Sequence, residues 1–358
     1  MSCAGQFTLY GSNASPYSCK MRALMRYRRL PFNWVILNPM EIPSHPNPNI
    51  RSLKARVIPI LEWPDGRVLN DSTVIIEALD ADFPRSRDVL PRDASQRFMV
   101  KLLEDFFDEW FMKAMFNRRW SSEADRDWSS RWIITDQLLT SPTLRILPSA
   151  SDMANLTAVF RERQVSRVKL VGCEDDELWQ RVMYEVMEAM DEQLRFGDAV
   201  RFLFSYRPTS ADFSLYGILK QFSLDSTGGH VLREQFPSVY CWIQAMDDLS
   251  GLVVEGEFQY ATVDTPAVRK ILNLVDTMYL PYLAANAVRN RGEEVEVKLT
   301  LKDGVTFVHK EAFGPYQKRC FEDLKAQYKR LAPSQRAAVA QLVGPGMDHL
   351  LADEHSKL

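Results

Sequence analysis

The first part of the chain alternates short apolar runs with one amphipathic segment. Phe7 to Tyr10 and Trp34 to Leu37 are short apolar runs typical of strands. Between them, Ser15-Pro16 opens a segment whose apolar positions recur at helical spacing. Proline suits the first turn of a helix because its missing N–H would have no partner there. Strand, helix and strand in this order predict a βαβ unit with parallel strands.

A hairpin and a second helix complete this region. Apolar runs at Val57 to Trp63 and Arg67 to Asn70 flank an Asp-Gly pair at residues 65–66, which is a hairpin signal. Asp71-Ser72 then precedes a segment with helical apolar spacing. The pattern therefore predicts an α/β domain over residues 1–83.

The central part of the chain has helical periodicity. Residues 84–95 are rich in proline and charge and predict a linker, whereas residues 96–251 show no convincing strand. One helix start stands out in this part. Thr209 precedes Asp212 by three residues, a capping box with Asp in place of the usual Glu or Gln. The prediction is an all-α domain.

Residues 252–358 change character again. A helix is predicted from Thr265, and Pro281 is expected to kink it or end it. Apolar and polar residues then alternate on both sides of Asp303-Gly304, which predicts a hairpin, and two short helices close the chain. Because an isolated hairpin is only marginally stable in water, this α+β extension is expected to pack on the helical domain.

Composition narrows the class of protein. The 358 residues carry a formal net charge of -3, which gives no basic field for nucleic acid and no polybasic membrane signature. No apolar run is long enough to cross a bilayer, and residues 1–7 lack the pattern of a signal peptide. The 5 cysteines and 5 histidines are scattered, so neither a disulfide framework nor a metal site is expected. These observations predict a cytoplasmic protein without a metal, a nucleic-acid partner or a membrane partner.

The strongest candidate for chemistry is Ser15, which begins Ser15-Pro16-Tyr17-Ser18. Hydroxyl groups here lie beside the unpaired amides and positive dipole end of a helix, a place that stabilises an anion such as a thiolate. A free thiol has a pKa of about 8.5, and lowering it by about two takes about 2.7 kcal/mol of preferential interaction with the thiolate. Ser15 also suits a plain helix cap, and taken alone this segment favours the cap.

Two further pairs of residues allow a ligand to bind beside this helix. A cis bond at Ile58-Pro59 would expose the backbone of Ile58 to a ligand, although a plain edge-strand proline explains the pair equally well. At Asp71-Ser72 the helix amides and the Ser72 hydroxyl can hold a carboxylate, and Asp71 can meet an amine. Capping alone would also explain this second pair.

In their order and spacing, these segments resemble the N-terminal domain of the glutathione transferase superfamily. The matching stretches are Phe7-Thr8-Leu9-Tyr10, residues 15–22, Val57-Ile58-Pro59-Ile60-Leu61 and Leu69-Asn70-Asp71-Ser72. The resemblance extends over about 1–250 and is most specific in the N-terminal domain. It implies an α/β plus all-α fold: a thioredoxin-like N-terminal domain, then a glutathione-transferase-type helical domain. The α+β extension, residues 252–358, is additional to the usual two domains.

The resemblance also implies glutathione as co-substrate and a site for it. Pro59 would be cis, Ile58 would pair with the cysteinyl backbone of glutathione, and Asp71 and Ser72 would hold the γ-glutamyl end. Ser15 falls where serine-type members place the thiol-activating hydroxyl. Redox members read Cys-Pro-Tyr-Cys here, whereas this chain has Ser at both positions, so dithiol exchange is not expected.

Three other features carry a smaller prediction each. Tyr10 ends the first strand, where tyrosine-type members keep a catalytic phenol, and it is the rival of Ser15; the Ser-Pro-Tyr layout favours Ser15. Cys19 is expected to be a buried helix residue rather than a nucleophile. Thr209 and Asp212 resemble a structural capping motif of the same superfamily. Aromatic and Met residues are expected to form core, with some available to a second-substrate pocket: Phe106, Trp110, Phe111, Met115 and Trp120.

The resemblance implies a bacterial-like, serine-type glutathione S-transferase that acts in detoxification. Its glutathione thiolate would attack an electrophilic apolar small molecule, by conjugation, ether cleavage or dehalogenation. The resemblance implies a homodimer. The alternative is a glutathione-transferase-like binding or regulatory protein without turnover, which the long extension motivates.

Overall fold

A computed structural model of the protein describes residues 5–84, 87–139, 148–196, 200–254 and 265–352. Its N-terminal region alternates strands and helices: β1 Phe7–Gly11, α1 Pro16–Tyr27, β2 Phe32–Ile36, α2 Pro48–Arg51, β3 Ile60–Glu62, β4 Val68–Asn70 and α3 Ser72–Asp82. A 3-10 helix, Pro39–Ser44, lies between β2 and α2.

The central region is helical, as predicted: α4 Ala94–Asp105, α5 Met112–Ser121, α6 Glu123–Leu139, α7 Ala150–Leu170, α8 Asp176–Phe196, α9 Ser210–Leu224, α10 Ser226–Gln235 and α11 Pro237–Met246. A π-helical segment, Phe106–Phe111, joins α4 to α5. Helix α9 begins directly after Thr209, where the capping box predicts a helix start. None of the described helices combines the length and apolar character needed to cross a membrane.

The C-terminal extension contains a second, small sheet. Its elements are α12 Pro266–Leu274, a π-helical segment Val275–Tyr279, α13 Leu280–Ala287, β5 Glu294–Thr300, β6 Thr306–Ala312, α14 Pro315–Arg330, α15 Pro333–Val343 and a 3-10 helix Pro345–Leu350. The predicted hairpin is confirmed, and Leu301 and Val305 close its turn through a 2.8 Å backbone hydrogen bond.

Of the two outcomes expected at Pro281, a kink or an end of the helix, the end is not observed, and the helical run instead becomes irregular just before the proline. The chain passes from α12 through the π-helical segment directly into α13, which carries Pro281 in its first turn. Proline lacks an N–H, and the first turn of a new helical segment is where that donor is not needed. The irregular π-helical stretch thus lies where the proline interrupts regular pairing.

The four-stranded sheet has the order β2-β1-β3-β4. Strand β1 pairs parallel with β2 and antiparallel with β3, and β3 pairs antiparallel with β4. The predicted βαβ unit and hairpin are therefore both confirmed. Across the sheet, Tyr10 faces Ile60 and Ile60 faces Asn70. The end of β1, the start of β3 and the end of β4 therefore meet at one edge.

The chain divides into two compact units. Unit 1 contains residues 1–89, 122–165 and 212–257, and unit 2 contains residues 90–121, 166–211 and 258–358. These units group residues that pack closely together. They do not test the domain limits predicted from the sequence, which stay a prediction.

Unit 2 contains the part of the extension that the structure describes after residue 264. Helix α12 packs on α8, α14 and α15 pack on α4, and β5 packs on α13. The hairpin turns alternate residues inward, because Val295 and Leu299 of β5 and Phe307 of β6 are buried while their neighbours are exposed. The expectation that the hairpin needs an apolar partner surface agrees with this packing.

A buried polar cluster lies under the hairpin, and we name it the extension network: Lys113, Tyr282, His309 and Glu311. The Lys113 ammonium donates to the Glu311 carboxylate and, at 2.9 Å, to the Val171 carbonyl. The Tyr282 hydroxyl donates to the same carboxylate, and His309 Nε2 lies 3.0 Å from Glu311 Oε2. Lys113 and Glu311 are each 3% exposed at the side chain. The carboxylate is thus matched by three partners inside unit 2.

Charges in the extension network follow from these contacts. Burial raises the pKa of Glu311, but Lys113 and the His309 hydrogen bond more than offset it and leave that pKa below its usual value. Burial lowers the pKa of His309, which keeps its imidazole neutral at pH 7. The network is therefore one buried ion pair held by two neutral side chains.

The aromatic residues of the central helices belong to the core of unit 2. Phe106, Trp110, Phe111, Met115 and Trp120 are each at most 3% exposed. The Trp110 ring lies 4.8 Å from Trp179 and 4.7 Å from Tyr282. They are core residues, as expected for most of them, and the suggestion that some line a second-substrate pocket stays a prediction.

Candidate functional site

Ser15 lies between β1 and α1 and caps that helix. Its hydroxyl oxygen accepts the Ser18 amide at 3.2 Å, and the side chain is half-buried. The sequence leaves capping and chemistry as competing roles, but the geometry makes them compatible. A hydroxyl that accepts at its oxygen still carries its own proton, which it can donate to an anion in front of the helix.

A tight turn positions Ser15 at the helix start. The Ser15 amide donates to the Ser12 carbonyl at 3.1 Å, so Asn13 and Ala14 are the central residues of the turn. The Ser12 amide donates to Ser18 Oγ at 3.3 Å. Gly11 permits this approach, because a Cβ there would lie 2.5 Å from Ser18 Oγ. The loop is therefore built by local hydrogen bonds together with a residue that lacks a side chain.

The rival Tyr10 is already engaged. Its hydroxyl donates to Glu62 Oε2 at 2.8 Å, on the neighbouring strand β3. Burial and the Glu62 carboxylate raise the pKa of Tyr10 far above its usual value. A phenol with a carboxylate partner and a raised pKa is a weaker donor to a second anion.

Ile58 and Pro59 lie immediately before β3. The peptide bond between them is cis, as the resemblance implies. Pro59 is buried and Ile58 is half-buried, and they precede Ile60 at the edge where β1 and β4 end.

Asp71 and Ser72 connect β4 to α3. Asp71 caps the helix by accepting the Thr73 amide at 3.1 Å, and its φ is +74°. A non-glycine residue in this region costs about 1–3 kcal/mol, and such residues cluster at ligand sites. Ser72 is the first residue of α3 and is 6% exposed.

These residues come together through the sheet register. Ser15 follows β1, Pro59 precedes β3 and Asp71 follows β4, and those three strand ends meet at one edge. We name the group the Ser15 site: Ser15, Ile58, Pro59, Asp71 and Ser72. It has two helix N-termini, those of α1 and α3, and a backbone segment between them. This arrangement can bind a molecule with anionic groups at separate ends.

Cys19 is a buried residue of α1, as expected. Its thiol donates to the Asn13 carbonyl at 3.6 Å and receives a hydrogen bond from Gln221 Nε2 at 3.3 Å. Burial raises the pKa of this thiol, which disfavours the thiolate needed for a nucleophile. Among the described residues, no group of three His, Cys, Asp or Glu side chains is arranged to hold a metal ion.

Sequence reasoning missed the surroundings of Asn13. The Asn13 amide nitrogen donates to Asp136 Oδ1 at 2.9 Å, and its oxygen accepts from Arg22 Nη1 at 2.6 Å. The Asn13 backbone carbonyl accepts from Gln221 Nε2 at 2.8 Å. An Asn before a helix cap indicates a turn, but no sequence signal connects it to helices more than a hundred residues away.

Known proteins resemble this chain in two separate stretches. Residues 9–87 match the glutathione S-transferase N-terminal domain, and residues 158–245 match the glutathione S-transferase C-terminal domain. Prostaglandin E synthase 2 of Mus musculus is 24% identical over 258 residues, 60% of this chain and 63% of that protein. Protein LigF of Sphingobium sp. strain SYK-6 is 29% identical over 114 residues, 32% of this chain and 44% of that protein. The chain thus spans less than two thirds of the length of either relative.

Solved structures give a more distant likeness. A glutathione S-transferase from Rhodospirillum rubrum F11 is 19% identical and aligns over 73% of this chain and 98% of its own, with a TM-score of 0.42. Both matched domains occur here in N- to C-terminal order, and the first of them contains the Ser15 site. Over residues 9–87 and 158–245 the chain is therefore similar to the N- and C-terminal domains of glutathione S-transferases.

Proposed function

We propose that this protein is a glutathione transferase in which Ser15 stabilises the glutathione thiolate. The observation that carries the proposal is the convergence of Ser15, the cis Ile58-Pro59 bond and Asp71-Ser72 at one edge of the sheet. Glutathione is a tripeptide with a thiol between two carboxylate-bearing ends. The three parts of the Ser15 site offer a hydroxyl donor, the backbone of Ile58 and a second helix start.

Thiolate stabilisation is the central chemical step. The Ser15 hydroxyl can donate its proton to an anion while its oxygen accepts the Ser18 amide. A hydrogen bond to a charged group contributes about 1.5–3 kcal/mol, and a helix N-terminus adds about 0.3–1 kcal/mol. This is the order of energy that lowers a thiol pKa from about 8.5 to near neutrality.

Ser15 is favoured over Tyr10 by the contacts of the two hydroxyls. Tyr10 would have to leave Glu62 to reach the sulfur, whereas Ser15 keeps its cap while donating. Tyr10 is assigned instead to holding β1 and β3 together through Glu62.

The γ-glutamyl end is assigned to Asp71 and Ser72. The Ser72 hydroxyl and the first amides of α3 suit its carboxylate, and the Asp71 side chain suits its ammonium group. The strained backbone of Asp71 fixes the direction of both groups. Backbone atoms of Ile58 then pair with the cysteinyl residue.

The second substrate is an electrophilic apolar small molecule. Holding it beside the thiolate converts a bimolecular attack into one between positioned partners. Conjugation, ether cleavage and dehalogenation all begin with that attack. As the family resemblance implies, the protein is proposed to act as a cytoplasmic homodimer.

Thermal unfolding with glutathione tests the proposal. A ligand that binds only the folded state stabilises it by about 2.7 kcal/mol at a hundredfold excess over Kd, which raises Tm by a degree or more. The matched control is the dipeptide Cys-Gly, which lacks the γ-glutamyl group and should raise Tm much less. A flat response to millimolar glutathione would reject the assignment. Binding without thiol transfer to a generic electrophile would indicate a binding protein instead.

A further inference from the structure

The turn that precedes Ser15 is tied to three helices through Asn13. Arg22 on α1 donates to the Asn13 amide oxygen at 2.6 Å, and the Asn13 amide nitrogen donates to Asp136 on α6 at 2.9 Å. Gln221 on α9 donates to the Asn13 backbone carbonyl at 2.8 Å. Asn13 is thus bonded through its side chain and its backbone at once.

The two hydrogen bonds of the Asn13 side chain are charge-assisted. Each joins a neutral amide to a charged group, a guanidinium on one side and a carboxylate on the other, and such bonds are about twice as strong as neutral ones. The amide must face in one direction to satisfy both, because its oxygen can only accept and its nitrogen can only donate. Asn13 therefore fixes the orientation of the turn as well as its position.

We infer that Asn13 is a positioning residue for Ser15, which it holds in place through Asp136 and Arg22. The inference rests on the proposed function. Asn13 and Ala14 are the central residues of the turn whose last residue is Ser15, so a rotation at Asn13 moves the Ser15 hydroxyl. A thiolate donor has to lie within hydrogen-bond distance of the sulfur, and small displacements at such positions cost large factors in rate.

Helix α6 supplies a matched control. Asp136 and Gln137 are neighbours on α6, and each accepts one hydrogen bond from an Asn amide of unit 1: Asp136 from Asn13, and Gln137 from Asn38 at 3.2 Å. Only the first bond reaches the Ser15 turn. If these bonds serve only stability, Asp136→Ala and Gln137→Ala should have similar effects on the thiol pKa of bound glutathione. If Asn13 positions Ser15, only Asp136→Ala should change that pKa.

The decisive measurement is the pKa of the thiol of bound glutathione, followed by ultraviolet thiolate absorbance against pH, with kcat and KM for glutathione alongside. Asn13→Ala and Asp136→Ala are each expected to raise that pKa by about one pH unit and to lower kcat about tenfold near neutral pH. KM for glutathione should change little, because the binding groups at α3 are untouched. Gln137→Ala should leave the thiol pKa unchanged, and Asp136→Asn should retain it because its amide oxygen still accepts from Asn13.

Ser15→Ala in the same series distinguishes a failure of the proposed function from a failure of the positioning role of Asn13. An unchanged thiol pKa in Ser15→Ala, or no glutathione binding by the unsubstituted protein, overturns the proposed function and this inference with it. A raised pKa in Ser15→Ala with wild-type values in both Asn13→Ala and Asp136→Ala overturns the positioning role alone. Should Asn13→Ala fail to fold, Asp136→Ala removes the same bond with the turn sequence intact.

Discussion

The Ser15 site and the extension network both contain polar side chains, but those side chains differ in their exposure to water. Ser15, Ile58 and Asp71 are half-buried at the edge of the sheet. Lys113 and Glu311 are each 3% exposed and pair with one another beneath the hairpin. At the first site the Ser15 and Asp71 side chains accept from amides of their own helices as caps, whereas the hydrogen bonds of the second site satisfy a buried charge from inside the chain.

This difference separates function from stability. A buried ion pair is expensive to break, since the remaining partner keeps its desolvation cost without its compensation. Removing a half-buried capping hydroxyl costs the fold about 0.5–2 kcal/mol, less than leaving a buried charge unpaired, but it also removes a donor wherever charge develops on a ligand. Substitutions in the two places are therefore expected to change different measurements.

Breaking the extension network should have the largest effect. Lys113→Met leaves the Glu311 carboxylate buried without its cation, which is expected to lower the free energy of unfolding in urea by about 3–5 kcal/mol. The double variant Lys113→Met with Glu311→Gln removes both charges and should recover part of that loss. The affinity for glutathione should not change in a folded variant. A loss below about 1 kcal/mol would show that the pair does not anchor the hairpin.

Removing the Ser15 hydroxyl should change the rate more than the stability, since the lost helix cap costs only about 0.5–2 kcal/mol. Ser15→Ala is expected to lower the rate of thiol attack about tenfold to a thousandfold, because a donor to a bound anion contributes about 1.5–4 kcal/mol. Steady-state kinetics with a generic electrophile measures this, and Tyr10→Phe is the comparison variant. Loss of turnover in Tyr10→Phe with activity kept in Ser15→Ala would reverse the assignment.

The free energy of unfolding should depend on pH because of Asp105, a residue of unit 2. Burial raises the pKa of Asp105 from its usual 3.8 to about 7, with a 2.6 Å hydrogen bond from Tyr279 acting in the opposite direction. The folded protein favours the protonated acid, so this stability is present below pH 4 and is lost as pH rises through 7. Between pH 5.5 and pH 7 the loss should be ~2 kcal/mol. Asp105→Asn, which cannot ionise, should flatten the dependence, and a dependence unchanged in that variant would assign it to another group.

The smallest effect is expected at Ser72. Ser72→Ala should raise KM for glutathione about twofold to tenfold with kcat unchanged, because a typical hydrogen bond contributes about 0.5–1.5 kcal/mol and the γ-glutamyl end lies away from the sulfur. A fall in kcat at constant KM would contradict this role and place Ser72 at the reacting centre.

The sequence predicted what depends on local pattern. Strand and helix periodicity, the Asp-Gly turns and the Ser-Pro helix start indicated the α/β region, the helical region and the hairpin, since each signal is confined to a few neighbouring residues. At Pro281 the sequence left a kink and a helix end open, and the structure has no end there, since the chain passes through a π-helical segment into α13.

Only the tertiary structure decided the contacts between residues that are distant in sequence. Tyr10 meets Glu62 across two strands, Asn13 meets Asp136 across 123 residues, and Lys113 meets Glu311 across 198 residues. The sequence alone determined which residue types were available and which local elements would carry them. Whether a hydroxyl remains available to a ligand or is used within the fold depends on partners brought together by packing, and no local pattern encodes that distance.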